Sequence, residues 1–325
     1  MVLTPGRGAA ACLLLRTGMV EAASQPRIHM VTFTTDMYQE HFADSLAAKE
    51  AYARHWGYSW EVFDEETLRC SDFRPHRWRG DFRYCKLQAL AVMWKRIVEL
   101  RRQTRGKQDY IFWHDVDTHI MRPETPLESF LEAAEHAPVV FTDNALSLNN
   151  GVFFLEVSKK GSHFLNSWRR GCQKGEWPWA DNGCMYEVLL STLGGERYSG
   201  RCRKYREAKL KEGRPEPPTG PDLMHCFNEE MSALGMGCCG RDRGIDGFAF
   251  LTGAEDSFNH HPCHELERSR EFAEVDTETI RRHCFTEGMF MVHTKNSSYV
   301  QASHERVLAF VGTKGAGTEG AQGEL

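Results

Sequence analysis

Two aspartates separated by one valine, Asp115 and Asp117, follow the apolar run Tyr110-Ile111-Phe112-Trp113-His114. Extended backbone repeats side-chain direction every second residue, so alternation puts both carboxylates on one side of the chain where a buried strand ends. Like charges held that close repel each other unless a divalent cation neutralises them. Hard oxygen ligands suit Mg²⁺ or Mn²⁺, with phosphate oxygens completing the shell. The plain alternative is a strand end followed by a solvated acidic turn, and the tripeptide alone does not separate the two.

Four other clusters fit the same chemistry, each with an ordinary structural reading beside it. Arg79-Gly80-Asp81-Phe82-Arg83-Tyr84-Cys85-Lys86 enters a helical stretch, where Arg83 and Lys86 can hold a diphosphate or simply be surface charge near a helix start. Asn149-Asn150-Gly151 opens an apolar strand, and Asn before Gly allows a tight turn or a close approach of Asn150 and Gly151 backbone to a ligand. Trp177-Pro178-Trp179 can offer a platform to a sugar's apolar face, while Asp181 and Asn182 either cap the next helix or bind a hydroxyl-rich ligand. Phe290 to Asn296 is an apolar strand ending in His293, Thr294 and Lys295. His293 can be a third metal ligand and Lys295 can neutralise a diphosphate, whereas a histidine at a strand end is more often structural or solvated. Asn296-Ser297-Ser298 matches a glycosylation sequon by chance, and Asn259-His260-His261-Pro262-Cys263-His264 reads as a loop for want of a second zinc-ligand group.

These residues need a frame. Ile28 to Thr34 reads as a first buried strand with Asp36 beyond its carboxyl end, followed by a helix over 44–55 whose apolar face is Leu46, Ala47, Tyr52 and Ala53, capped by Gly57. Trp60 to Phe63 is a second strand, and Tyr84 to Arg101 a long helix with Leu87, Leu90, Ala91, Trp94, Ile97 and Val98 at helical spacing. After the acidic strand come a short helix through Ala134, strands at 138–143 and 151–157, and helices at 162–171 and 182–192. Strand–helix alternation of this kind predicts an α/β domain with a mostly parallel sheet flanked by helices, which binds ligands beyond the carboxyl ends of its strands.

Length and composition set the limits. The chain has 325 residues, 41% of them apolar and 26% charged, which suits a soluble globular protein with a substantial core. A formal charge of −5 gives no broad positive field, so nucleic acid is not an expected partner. Residues 1–26 resemble a minimal signal or targeting segment, with Arg7 ahead of a short apolar run, Ala9 to Leu15, and small residues at 22–24, and no stretch of the sequence is long enough to span a bilayer. Setting Cys12 aside, ten cysteines remain, an even number that disulfides can use, and this favours the secretory pathway, in the Golgi or ER lumen, over reduced thiols in the cytoplasm. We expect one domain over 27–313, with a surface insertion or loop at 201–221 and a low-complexity tail from Gly312, outside the domain from 314 to 325.

Taken in order, the blocks AYARHWGY (51–58), YIFWHDVDTHIMRP (110–123), NNGVFFLEVSKKGSHFLNSWRR (149–170), WADNGCMYEVLL (179–190) and MFMVHTKN (289–296), with the lysine helix around Lys86, resemble GT-A-fold glycosyltransferases. The resemblance is nearest to the galactosyl/mannosyl and xyloglucan xylosyltransferase family. It implies a single GT-A (Rossmann-like) domain that transfers a hexose or pentose from a nucleoside-diphosphate sugar to a glycan or other hydroxyl acceptor, with retention of configuration. It implies Mn²⁺ (or Mg²⁺) bridging Asp117, His293 and the diphosphate, and Asp115 on the ribose with support to the metal. Asn150 and Gly151 are similar to the family's donor-sugar and acceptor loop, and Asp181-Asn182 falls where the family carries an acidic pair and glutamine near the anomeric carbon. Here the chain departs from the family, having Ala180-Asp181-Asn182 instead. Two rivals follow from the same residues: a nucleotide-sugar-binding protein without turnover, and a metal-dependent nucleotidyltransferase or phosphohydrolase using Asp115 and Asp117.

Overall fold

The computed structural model describes residues 25–68, 70, 82–103, 108–143, 148–173, 177, 180–193, 200, 202, 204, 226–230, 247–251, 258–268, 277–278, 280 and 284–315. Residues 1–24 of the expected leader and almost all of the insertion at 201–221 lie outside these residues, as do Cys238, Cys239 and Trp179.

A six-stranded sheet forms the centre, in the order β2-β1-β3-β6-β5-β7. Its strands are β1 (Arg27–Phe33), β2 (Ser59–Phe63), β3 (Asp109–His114), β5 (Val139–Asp143), β6 (Leu148–Glu156) and β7 (Phe248–Leu251). β1 pairs in parallel with β2 and β3, and β5 with β7, whereas β6 is antiparallel to both β3 and β5. Five strands therefore run one way and β6 alone is reversed. The α/β class and the mostly parallel sheet are as the strand–helix alternation predicts. All six side chains of β3 are buried, which is the pattern of a strand covered on both faces.

Helices cover the sheet: α1 (Asp36–His41), α2 (Ala43–Trp56), α3 (Cys85–Gln103), α4 (Glu128–Ala133), α5 (Lys159–Gln173), α6 (Asp181–Leu193), α7 (Cys263–Arg268) and α8 (Ser297–Gly315). Gly57 ends α2 in the left-handed conformation that glycine adopts without a Cβ penalty, at φ 76°. The buried face of α2 is rotated from the expected one. Ser45, Ala48, Lys49, Tyr52 and Ala53 are buried, while Leu46 is half-buried and Ala47 exposed. The reason is polar: Ser45, Lys49 and Tyr52 turn inward to hydrogen-bond the main-chain carbonyls of Thr118, Val116 and Thr125, in the segment from the end of β3 to the start of α4. On α3 the expected stripe holds for Leu87, Leu90, Ala91 and Ile97, but Trp94 is half-buried and Val98 is exposed.

One short strand, β4 (Thr118–Ile120), escapes sequence patterning, while β8 (Met291–His293) lies within the strand expected from Phe290. β4 pairs antiparallel with β8, placing Thr118 opposite His293. This two-stranded sheet carries the chain's late segment to the loop after β3. α8 packs on α2 and β4, and it continues through Gly315, so the helix overruns the tail expected from Gly312. Disulfides join Cys70 to Cys85, Cys172 to Cys184, Cys202 to Cys226 and Cys263 to Cys284. Cys85 begins α3 beside Lys86, and the Cys172–Cys184 bond ties α5 to α6.

Candidate functional site

A cavity of about 720 Å³ opens at the carboxyl ends of β1 and β3. β6 is reversed, so its amino end, Asn149 and Asn150, arrives at the same rim. Of the residues singled out in the sequence, Asp36, Arg83, Lys86, Asp115, Asp117, Asn150, Asp181, Asn182 and Lys295 all line it. Gly151 and His293 stand directly behind the lining.

Asp115, Val116 and Asp117 lie past the end of β3 in a turn, not on the strand as alternation suggests. The Asp115 N–H donates to the Gly151 carbonyl (2.6 Å), and Thr118 closes the turn with its N–H (3.2 Å) and hydroxyl (2.7 Å) on the Asp115 carbonyl. From α2, the Lys49 amine donates to the carbonyls of Asp115 (3.2 Å) and Val116 (2.9 Å). Burial lowers the Lys49 pKa to about 7, against the partial support of Asp117 and Asp115. Lys49 was not read from the sequence as a site residue. Its signal was a lysine four residues from Ser45 on the face that also carries Tyr52.

The turn sends the two carboxylates to different partners. Asp115 Oδ1 accepts from Trp113 Nε1 at 2.8 Å and lies 3.1 Å from the buried amine of Lys86. That amine also donates to the carbonyl (2.9 Å) and Oδ1 (2.7 Å) of Asn150, and lies 3.2 Å from Asp181 Oδ2. Asn150 Nδ2 in turn donates to Asp181 Oδ2 at 2.8 Å. Lys86 is thus a buried cation locked between acids, and Asp115 and Asp181 raise its pKa above the ordinary value against the opposing effect of burial. Burial pushes the Asp181 carboxyl up, and Lys86 only partly offsets this.

Asp117 faces β8. Its Oδ1 sits 3.1 Å from His293 Nε2, and the Thr294 N–H donates to the Asp117 carbonyl at 2.9 Å. Burial alone would raise the Asp117 pKa, but His293 and then Lys295 hold it well below the usual carboxylate range. The Asp117 carboxylate outweighs burial at His293 and raises its pKa. One ligand atom each from Asp115, Asp117 and His293 lie within 4.8 Å of one another, and no other such group of three occurs among the described residues. Two carboxylates and an imidazole within that span could hold a divalent metal ion.

Several expected roles change. Asn149-Asn150-Gly151 forms no turn; all three residues are in β6. Glycine is needed at 151 because a Cβ there would stand 2.5 Å from His293 Cε1 and 2.8 Å from Nδ1, so the close approach is to the histidine. Trp177 is no sugar platform. It is buried in the core with Nε1 donating to the Gly171 carbonyl at 3.2 Å. Asn182 braces the site: its Oδ1 accepts from the Asn150 N–H (3.1 Å), and its Nδ2 donates to the Leu148 carbonyl (3.3 Å) and the Tyr186 hydroxyl (3.0 Å). Asp181 begins α6 immediately after Ala180, a non-glycine residue at φ 52°. The stretch read as a loop at 259–264 sits against the site. Cys263 is in a disulfide there, His261 stacks on the His293 ring with centroids 4.8 Å apart, and Asn259 touches His293 Nδ1 at 3.1 Å.

No protein-family model matches the sequence, and no curated protein matches it. Among solved structures, the chain is similar to a glycosyltransferase involved in the glycosylation of the major capsid of PBCV-1. That likeness has a TM-score of 0.39 and 9% identity, and it covers 87% of this chain and 100% of the other. It is also similar to the galactosyltransferase LgtC in complex with donor and acceptor sugar analogs, with a TM-score of 0.34, 12% identity, and coverage of 88% and 95% respectively. At this level the likeness assigns no activity to the chain. No helix among the described residues is long and apolar enough to cross a membrane.

Proposed function

We propose that this protein is a metal-dependent glycosyltransferase that moves a hexose or pentose from a nucleoside-diphosphate sugar to a glycan or other hydroxyl acceptor. The observation that carries the proposal is the meeting of Asp115, Asp117 and His293 at the rim of a cavity whose wall also carries Lys86, Arg83 and Lys295. The sequence resemblance points the same way. Asp115, Asp117 and His293 would hold Mn²⁺, which when bound supplies positive charge for the diphosphate that departs as the glycosidic bond breaks.

The chain's own residues do the rest. Lys295, exposed beside the cavity, and Arg83 on its wall bring positive charge to the diphosphate. Asp115, oriented by Lys86 and the Trp113 indole, serves the ribose side. Asp181 is the carboxylate for the sugar. Lys86 and Asn150 both engage its Oδ2, so Oδ1 is the oxygen that can serve a ligand. In a retaining reaction, the stereochemistry the resemblance implies, Asp181 stabilises an oxocarbenium-like state. In an inverting one, its raised pKa suits it to take the proton of the acceptor hydroxyl. Asn182 positions Asn150 instead of touching the sugar. The four disulfides support an oxidising compartment, and we place the protein in the lumen of the secretory pathway.

The test is incubation with a panel of nucleotide sugars, Mn²⁺ and hydroxyl acceptors. Release of nucleoside diphosphate that depends on the acceptor supports the transferase. Binding without release identifies a non-catalytic binder, and release of phosphate or pyrophosphate identifies a phosphohydrolase or nucleotidyltransferase; either result overturns the proposal. The anomeric proton signal of the product decides between retention and inversion.

A further inference from the structure

We propose that Asn259 is a positioning residue that fixes His293 as the tautomer protonated on Nδ1, so that Nε2 offers its lone pair to the cation held with Asp115 and Asp117. This rests on the metal-site reading above and extends it to a residue outside the ligand set.

The hydrogen-bond directions follow from one group whose role is unambiguous. The main-chain carbonyl of Asn149 can only accept, and it lies 3.3 Å from Asn259 Nδ2. Asn149 Oδ1 receives the Gly151 N–H at 2.6 Å and is also 3.3 Å from Asn259 Nδ2. Both contacts require the Asn259 amide to present its NH₂ to Asn149. The amide cannot then be flipped, and the atom 3.1 Å from His293 Nδ1 must be Oδ1, which only accepts. Nδ1 must therefore carry a proton. In the neutral ring this leaves Nε2 bare, 3.1 Å from Asp117 Oδ1. A lone pair facing a carboxylate oxygen repels unless a proton or a metal cation lies between them, and the Asp115 carboxylate within 4.8 Å adds a further oxygen for a cation.

Everything around the imidazole holds it in that orientation. Asn259 is 1% exposed and His293 9%. Gly151 leaves room where any Cβ would collide with the ring, and His261 stacks against its face. The His293 N–H also donates to the His260 carbonyl at 2.6 Å, which fixes the main chain on which the ring is carried. An outer hydrogen-bond partner on the second nitrogen of a ligating histidine sets its tautomer and strengthens it as a donor to metal. Successive side chains on a strand point to opposite faces. β6 thereby divides its two asparagines: Asn150 goes to Lys86 and Asp181, and Asn149 goes to Asn259, which in turn holds the histidine.

The experiment uses the full chain and Mn²⁺ alone. The dissociation constant is measured by electron paramagnetic resonance of free Mn²⁺ for the wild type, Asp117→Ala, Asn259→Leu and Asn259→Asp, with metal-free melting temperatures as a control. We expect Asn259→Leu to weaken Mn²⁺ binding by about 10- to 100-fold. Asn259→Asp keeps the acceptor for Nδ1 while losing the donor to Asn149, so where folded it should bind Mn²⁺ more tightly than Asn259→Leu. Equal affinity of Asn259→Leu and wild type overturns the inference, as does an equal loss in both folded Asn259 variants. Absence of Mn²⁺ binding by the wild type, or binding indifferent to Asp117→Ala, overturns the metal reading itself. A measurement without substitutions stands beside these: ¹⁵N–¹H correlation of the histidines in the metal-free wild type at alkaline pH. The proton on Nδ1 of His293 is the expected result, and a proton on Nε2 overturns the inference.

Discussion

The two ends of β3 are both acidic and have opposite characters. At its start, Asp109 is fully buried and surrounded by cations. Arg27 donates Nε to Oδ1 (2.8 Å) and Nη2 to Oδ2 (2.9 Å), Arg101 donates to Oδ2, and His29 Nε2 lies 2.9 Å from Oδ1. Burial opposes ionisation there, but His29, Arg27 and Arg101 together hold the Asp109 pKa well below the usual range. Beyond the other end, Asp115, Asp117 and Asp181 have Lys86 and His293 as direct ion-pair partners, with Lys49 and Lys295 acting at longer range. The first acid is saturated with partners and staples β1, α3 and β3 together. The second group lines the cavity and brings side-chain ligand atoms of Asp115, Asp117 and His293 within 4.8 Å of one another, which in the proposed reading a divalent cation joins. Acids complete within the protein serve the fold, and acids left incomplete serve a ligand.

Substitutions can break this contrast. The largest effect should come from Asp117→Ala, which removes a ligand from the incomplete end. Loss of several kcal/mol of charge stabilisation corresponds to a fall in Mn²⁺-dependent transfer on the order of 10³-fold. The metal-free melting temperature should fall, because His293 and Lys295 hold the Asp117 carboxylate ionised in the folded protein and lose that partner. Retained activity would remove Asp117 from the metal site. Lys86→Met comes next, since it strands Asp181 as a buried, unpaired acid. Denaturant unfolding should show a loss of about 3–5 kcal/mol at neutral pH. That loss should shrink as pH falls and the Asp181 carboxyl takes up a proton.

Asp109→Asn should cost about 3–5 kcal/mol of stability and, unlike Asp117→Ala, leave Mn²⁺ affinity unchanged. The sign with pH is definite. A carboxyl whose folded pKa lies below its unfolded value of 3.8 contributes stability that is fully present above that value. The contribution is lost as pH falls through the folded value, so the wild type should lose stability in acid more steeply than Asp109→Asn. Parallel acid profiles would show that the arginine cluster does not act as a staple. The smallest change, Gly151→Ala, adds one methyl group against His293. It should cost about 1–3 kcal/mol of stability and weaken Mn²⁺ binding, both seen in one titration monitored by melting temperature. An unchanged melting temperature and affinity would mean that the histidine ring is free to move.

Much of the frame was legible in the sequence because its signals are local. β1, β3 and β5, with α2, α3, α5 and α6, carry long apolar periodicity, and the observed boundaries lie within a few residues of those expected. Asp115, Asp117, His293 and Lys86 were recognisable as candidate site residues because each stands where an apolar run meets charge. β4 and β8 were not legible as a pair. Each is three residues long, and they meet across more than half the chain, a pairing that neither periodicity nor turn chemistry encodes. Asn259 was hidden for a related reason. Its meaning lies in its partners Asn149 and His293, and the segment around it reads as a plain loop in the sequence. Trp177 misled because a tryptophan can fill a core as readily as bind a sugar, and the order of residues does not say which.

The reversal of β6 has a consequence for how this site can change. A single strand supplies adjacent asparagines to both walls, so its alignment with β3 is a shared adjustment for the two. Sliding that strand by one residue would exchange the faces on which Asn149 and Asn150 emerge. The lysine wall and the histidine wall would then come apart in the same step. Insertions or deletions within β6 should be all-or-nothing, whereas the segments ending in Asp36 and Lys295 reach the rim separately and can vary one at a time. Attempts to redirect the protein toward new ligands have room at those two positions and almost none along β6.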